Sequence, residues 1–318
     1  HLSLRRQRQM CIRDRFVTPS PFSSRSSKAN IWTKRRGILK DVVCWVTPTI
    51  GEMRMLGLKG KTAVVFGVAS EDSIAWAICE QLAEAGVDLF LGFQKRFMSR
   101  VFQLKDKLPA IKGFYPLDVA QDETTGEFFE AFSKEHPGRK IDILVHAIGF
   151  APRSCFDRPI LFVEDADINT AMTISANSLQ RCLKFAMPYL SEGSSTITLT
   201  YAASTRFVPS YGIMSMAKAA LECWTRELAC HLGPHGHRVN SISSGPIRTI
   251  AASGIPGFDK ILDHVQANAP LRRNVSQSDV AGTTLWLASP LSAGVTGQCI
   301  HVDAGYSITM VPQSIMDV

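Results

Sequence analysis

A phenol and an ammonium seven residues apart limit what chemistry this chain can do. Tyr211 and Lys218 lie in the run Tyr201-Ala-Ala-Ser-Thr-Arg-Phe-Val-Pro-Ser-Tyr211-Gly-Ile-Met-Ser-Met-Ala-Lys218. The pattern predicts helix here, over about 210–232. Seven helical steps make about two turns, roughly 10 Å of rise, and leave both side chains on one face. A lysine so placed can hold a ribose and lower the phenol's pKa, and the tyrosine can then stabilise a developing oxyanion. Tyr201 adds a second phenol near the end of a predicted strand. Taken alone, the pair reads more readily as a packed ring and a solvated ammonium. It gains weight because a plausible nucleotide-binding half precedes it.

That half is built of alternating elements. Lys61–Gly67 is a short apolar run ending in Gly, which suits a buried parallel strand. Ser73 to Ala85 reads as a helix with Ser73 as N-cap and Gly86 as its stop. Val87–Gly92 is a second strand, followed by a helix over roughly 97–108, a strand near Gly113–Leu117 and another at Ile141–Ala147. Helical stretches over about 166–190 and 210–232 flank the strand Ser195–Thr200. Arg238–Ser243 and Gln298–Asp303 are late strands. The alternation implies βαβ units and an α/β fold with a parallel sheet covered on both faces.

The turn after the first strand, Gly67-Val-Ala-Ser-Glu-Asp-Ser73-Ile74-Ala75, is not Gly-x-Gly-x-x-Gly. A dinucleotide still needs a close backbone approach and a helix N-terminus for its pyrophosphate. Gly67 can supply the first, and the Ser73 and Ile74 amides the second, although an ordinary strand-to-helix turn explains the segment equally well. Gln94 follows the second strand, where an acidic residue often binds ribose; it is neutral, with Lys95 and Arg96 beside it. Asp118-Val119 follows the third strand, where a short acceptor meets an adenine amine. His146-Ala-Ile-Gly149-Phe-Ala-Pro152 follows the fourth, and Gly149 lets backbone approach a nicotinamide ribose. His146 itself reads as structural.

Bulk properties exclude other classes. No apolar run is long enough to span a bilayer, so no membrane partner is expected. The net charge of +7 suggests nucleic acid until it is located. Residues 1–57 carry 12 of the 35 Lys+Arg and 3 of the 28 Asp+Glu, leaving 23 basic against 25 acidic residues in the rest. The body is near neutral, and no nucleic-acid partner is expected. Eight scattered cysteines form no Cys-x-x-Cys and no Cys/His zinc spacing; the expectation is a reducing compartment and no metal.

The basic residues 1–57 show no sustained period and are expected to lie outside the fold. Gln9–Arg15 resembles a translated sequencing-library adapter. Residues 16–52 then read as upstream translation, with Met53 or Met55 as the start, or as an Arg- and Ser-rich transit peptide. The expected organisation is the tail, one domain over 58–310, and a short tail over 311–318.

In combination, these segments resemble the enoyl-acyl-carrier-protein reductases of bacterial and plastid type, a divergent branch of the short-chain dehydrogenase/reductase superfamily. The motifs run from about Leu58 to Met310: Gly67-x5-Ser73-Ile74-Ala75, Leu117-Asp-Val-Ala120, His146-x-Ile-Gly-Phe-Ala-Pro152, Tyr201-x9-Tyr211-x6-Lys218, Gly245-Pro-Ile-Arg-Thr-Ile-Ala-Ala-Ser-Gly254, and Leu291-Ser-Ala-Gly-x-Thr-Gly297 before His301-Val-Asp303. The resemblance implies a single Rossmann-type domain of about seven parallel strands, assembled as a homotetramer. It implies that Gly67, Ser73, Ile74, Gln94, Asp118, Val119, Ile148, Gly149 and Lys218 hold the dinucleotide, with Ile247, Thr249 and Ala251 along it. NADH is expected because Gln94 is not Arg, and NADPH stays open. Ala151, Met214, Ala251, Ile255 and Phe258 would meet the acyl substrate, within or beside a substrate loop from Arg248 to Phe258. Tyr211 would be the main catalytic phenol and Tyr201 the second.

Ordinary carbonyl reductases of the superfamily place Tyr four residues before Lys; here that position is Met214, which has no hydroxyl. A phenol one turn further away suits a conjugated thioester, whose charge gathers on a more distant oxygen. The implied reaction is reduction of a trans-2-enoyl thioester on acyl carrier protein in fatty acid synthesis, with the α-carbon protonated by water or through the Tyr201 side. Arg206, Arg272 and Arg273 are candidates to meet the acidic carrier. The implied location is the bacterial cytoplasm, or a plastid if the tail is a transit peptide. A reductase of another enoyl thioester or ketone, or a dinucleotide-binding regulator without turnover, are the alternatives.

Overall fold

The computed structural model describes residues 56–250 and 252–310. The N-terminal tail, including Met53 and Met55, lies outside them, as do Ala251 and residues 311–318; the fold below belongs to the unit Pro48–Val318.

The centre of the sheet is made where the sequence is most continuously apolar. Strand β1 (Thr62–Phe66) is buried at every position. Helix α1 (Ile74–Glu84) starts at Ser73, whose hydroxyl accepts from the Trp76 N–H at 3.1 Å, and stops before Gly86 at φ +80°. Strand β2 (Asp88–Phe93) follows. The helix expected over 97–108 is shorter: α2 (Met98–Leu104) lies between two 3-10 turns. After β3 (Ile111–Pro116) comes α3 (Asp122–Glu135), a helix beyond those expected.

Strand β4 (Ile141–His146) then leads to a segment that is not one helix but three pieces. Helix α4 (Asp165–Met172) runs into a π turn at Thr173–Asn177 before α5 (Ser178–Ala186). Such π turns concentrate at functional sites because they re-aim one side chain. Strand β5 (Leu190–Thr200) is longer than expected. Helix α6 spans Ile213–Leu232 and β6 Arg238–Ser244. Two further helices, α7 (Phe258–Asn268) and α8 (Gln277–Ala288), lie between the motifs; β7 (Cys299–Val302) closes the sheet.

The seven strands order as β3-β2-β1-β4-β5-β6-β7, and every pair is parallel. Side chains alternate across the sheet with period two. Ala63 and Val65 enter one core with α1 and α8, while Val64 and Phe66 enter the other with α3, α5 and α6. Parallel strands all end at one edge, and the order reverses between β1 and β4; ligands of open α/β sheets bind in that crevice. A third cluster at this edge gathers Ala151, Cys155, Tyr211, Ile213, Met214 and Ala217.

Candidate active site

A cleft of about 760 Å³ opens at the carboxyl ends of the strands. Of the expected residues, Gly67, Ile74, Gln94, Val119, Ile148, Gly149, Ala151, Tyr201, Tyr211, Met214, Lys218, Ile247, Thr249, Ile255 and Phe258 line it; Ser73 and Asp118 are not among the lining residues.

The first wall comes from tight backbone. Gly67 has φ +105°, and a Cβ there would stand 2.0 Å from the Ala147 carbonyl oxygen, so β1 and β4 meet only because this residue has no side chain. The chain then turns into α1. The two amides expected at this helix start differ: the Ser73 N–H donates to the Ser70 carbonyl at 3.2 Å, and no acceptor among the described residues takes that of Ile74. The Ser73 hydroxyl is also committed, to the Ser70 carbonyl and the Trp76 N–H. Among the described residues the Ile74 amide, with that of Ala75 after it, is thus an open donor at the positive end of α1.

Asp118 accepts the Ala120 N–H through Oδ1 at 3.1 Å, which fixes the turn after β3. Arg96, absent from the expected set, stacks its guanidinium over the rings of Phe97 (4.8 Å) and Phe150 (5.3 Å) at the cleft wall. Phe150 is held in turn by Ser175 of the π turn. Its N–H donates to Ser175 Oγ at 2.8 Å, and Ser175 Oγ donates back to its carbonyl at 2.7 Å. Only the register of the π turn points Ser175 there, and no spacing rule in the sequence signals it. Gly149 beside it leaves open space toward Lys218 Nζ, which an added Cβ would approach to 3.7 Å.

The phenols and the ammonium converge by a different route from the one their spacing suggested. Tyr211 is not on the helix: α6 begins at Ile213, and Tyr211 sits in the turn before it. Gly212, at φ +51°, redirects the chain, and a Cβ there would stand 2.3 Å from the Cys155 carbonyl. The turn brings the Tyr211 ring within 5.0 Å of the Tyr201 ring, centroid to centroid, inclined at 59°. Lys218 is buried on α6, and its Nζ donates to the Leu199 carbonyl at 2.8 Å. An ammonium has three donors, so two remain for a ligand. Met214 lies against Ser175, Sδ to Oγ 3.6 Å.

The electrostatics correct one expectation. Lys218 does not make Tyr211 acidic: burial pushes that phenol well above its usual range, with a further push from Tyr201. Tyr201 is likewise raised, to about 12, by burial and then by Tyr306. Desolvation dominates because both phenols pack in an apolar cluster. Each phenol stays protonated and can donate a hydrogen bond. Burial lowers Lys218 to about 8, partly opposed by Glu222. His146 is structural: it bonds Thr198 Oγ1 (3.0 Å) and Ser178 Oγ (2.8 Å), and burial, then the Lys218 charge, lowers it to about 3. Of the three surface arginines, Arg273 is paired with Asp279 at 2.6 and 2.9 Å and Arg272 bonds the Ala267 carbonyl, while Arg206 lines a second cleft of about 660 Å³.

Comparison with known proteins shows the family. The model of the family described as Enoyl-(Acyl carrier protein) reductase matches residues 67–307. A Synechocystis protein, Enoyl-[acyl-carrier-protein] reductase [NADH] FabI, is 42% identical over 259 residues, covering 80% of this chain and 99% of that one. Its Escherichia coli namesake is 40% identical over 253 residues, covering 79% and 95%. Among solved structures, the Bacillus cereus enoyl-acyl carrier protein reductase, with NADP+ and indole naphthyridinone, superposes with a TM-score of 0.77 at 40% identity, over 80% of this chain and 99% of that one. An Aquifex aeolicus enoyl-[acyl-carrier-protein] reductase (NADH) gives 0.76 at 33% identity, over 80% and 99%.

Proposed function

This chain belongs to the enoyl-(acyl carrier protein) reductase family, and from that premise we propose that it reduces the trans-2 double bond of enoyl thioesters on acyl carrier protein, in type II fatty acid synthesis, with NADH. The observation that carries this reading is the pair of protonated phenols, Tyr201 and Tyr211, beside a buried lysine, with Met214 where a carbonyl reductase needs its tyrosine.

The cleft suits a dinucleotide. Gly67 and Gly149 leave bare backbone along it, Ile74 offers an amide at a helix start that no acceptor among the described residues takes, and Lys218 has donors to spare. These residues, with Gln94, Asp118, Val119, Ile148, Ile247 and Thr249 around them, would hold the cofactor. A reduced nicotinamide supplies a hydride to the β-carbon of the enoyl group when bound. The chain's part is to orient and to stabilise charge. Tyr211 donates a hydrogen bond to the thioester oxygen as negative charge gathers there, an interaction strongest in the transition state. Lys218, fixed on the Leu199 carbonyl, holds the ribose with its remaining donors and keeps the site electropositive. Ala151, Met214, Ile255 and Phe258 exclude water around the acyl chain. Ala251, given the same role, lies outside the described residues.

The finer parts rest on the resemblance. They are a homotetramer, a cytoplasmic or plastid location, and a carrier met by Arg206, the one of the three arginines whose side chain makes no hydrogen bond or ion pair among the described residues. The deciding experiment follows NADH and NADPH oxidation with crotonyl thioesters. Turnover with NADH at the higher kcat/KM supports the reading; turnover of ketones but not enoyl thioesters sinks it.

A further inference from the structure

The lysine of this site has a carboxylate behind it. Glu222 lies on α6 one turn beyond Lys218 and is almost as deeply buried, 9% exposed against 7%. Residues four apart on a helix are neighbours on one face. The Glu222 carboxylate accepts a hydrogen bond from Thr200 Oγ1 at 2.7 Å, and its charge helps to raise the thiol of Cys299 on β7. Both neighbours are neutral, so neither cancels its charge. Thr200 is the last residue of β5, between Leu199, whose carbonyl receives Lys218, and Tyr201.

We propose that Glu222 is a positioning residue for the reaction: its buried charge keeps Lys218 an ammonium, and its bond to Thr200 pins the strand end that aims Lys218 and carries Tyr201. This rests on the function proposed above and adds a residue to it. A buried cation without a counter-charge loses its proton to escape desolvation. An ammonium that must hold a ribose cannot do so neutral.

The other ionisable groups around Lys218 cannot take over. His146 from β4 is neutral. Tyr201 and Tyr211 stay protonated, and Cys299 is raised to about 11, by burial first. Asp167 of α4 accepts from Ser154, Arg181 and Lys184 of α5 pair with Asp122, and Arg238 of β6 bonds the Leu287 and Ser292 carbonyls. Among the described residues, Glu222 is the carboxylate that acts on Lys218.

The test is equilibrium NADH binding to the full chain, read by nucleotide fluorescence from pH about 6 to about 10, spanning both sides of the lysine. In wild type the affinity falls as Lys218 deprotonates near pH 8. Glu222→Gln moves that fall toward acid by on the order of one pH unit, the effect of removing one charge a helical turn away. Glu222→Asp keeps the charge and returns the midpoint toward wild type. Thr200→Val keeps the charge but loses the tether, so kcat for crotonyl thioester falls while the midpoint stays. A Glu222→Gln curve that coincides with wild type, a low midpoint in Glu222→Asp, or an equal shift in Thr200→Val overturns the proposal. Wild-type binding without crotonyl turnover strikes the proposed reaction instead and leaves the reading of the Glu222 charge standing.

Discussion

At the scale of single residues, the Tyr211 hydroxyl is a donor held in reserve. Burial keeps it protonated, and it acts on charge that exists only during reaction. Tyr211→Phe should therefore keep the fold and cofactor binding and lower kcat far more than it raises KM. Loss of a main oxyanion donor costs on the order of 10²–10³ in rate. Tyr201→Phe should cost less. Steady-state kinetics, with circular dichroism to confirm folding, separates the two; a wild-type rate in Tyr211→Phe with a dead Tyr201→Phe would reverse the roles. Lys218→Met should lose NADH affinity as well as rate, since one ammonium orients the ribose. Its folded pKa is depressed to about 8 from 10.5, so between those values the unfolded chain binds more protons and this group's contribution to stability rises with pH. Any advantage in thermal midpoint that Lys218→Met has over wild type near neutrality should shrink across that window.

At the scale of elements, turns aim the chemistry that helices and strands carry. Gly67 and Gly212 each hold a positive φ with a carbonyl where a side chain would go. Gly67→Ala should destabilise by about 1–3 kcal/mol from backbone strain alone, with the collision against Ala147 adding to it. Denaturant unfolding measures this, and an unchanged midpoint would mean that β1 and β4 can part without cost. The π turn at Thr173–Asn177 plays a comparable part. It turns Ser175 onto the Phe150 backbone, so Ser175→Ala should loosen the Gly149–Ala151 segment and raise the KM for NADH. A KM equal to wild type would reduce that bond pair to packing.

At the scale of the whole molecule, the near-neutral body and the basic tail are separable in composition. A chain beginning at Met55 should fold and turn over as well as the full chain, tested by thermal unfolding and NADH oxidation side by side. Lost activity on trimming would move the boundary proposed near residue 57.

Much of this protein was legible in its order of residues. Short apolar runs mark β1 and β4 because central parallel strands are buried on both faces. Ser73 and Gly86 bracket α1 because capping is a local matter of hydrogen bonds and φ. Tyr201, Tyr211 and Lys218 stand out because spacing and residue type survive without coordinates. Helices α3, α7 and α8 went unread, lying between motifs rather than in them. Tertiary structure alone decided the rest. It placed Tyr211 on a turn instead of the helix, raised the phenols instead of lowering them, and turned Ser175 and Glu222 toward the site. Desolvation and aim depend on what packs around a group, and those neighbours come from strands and helices far away in the chain.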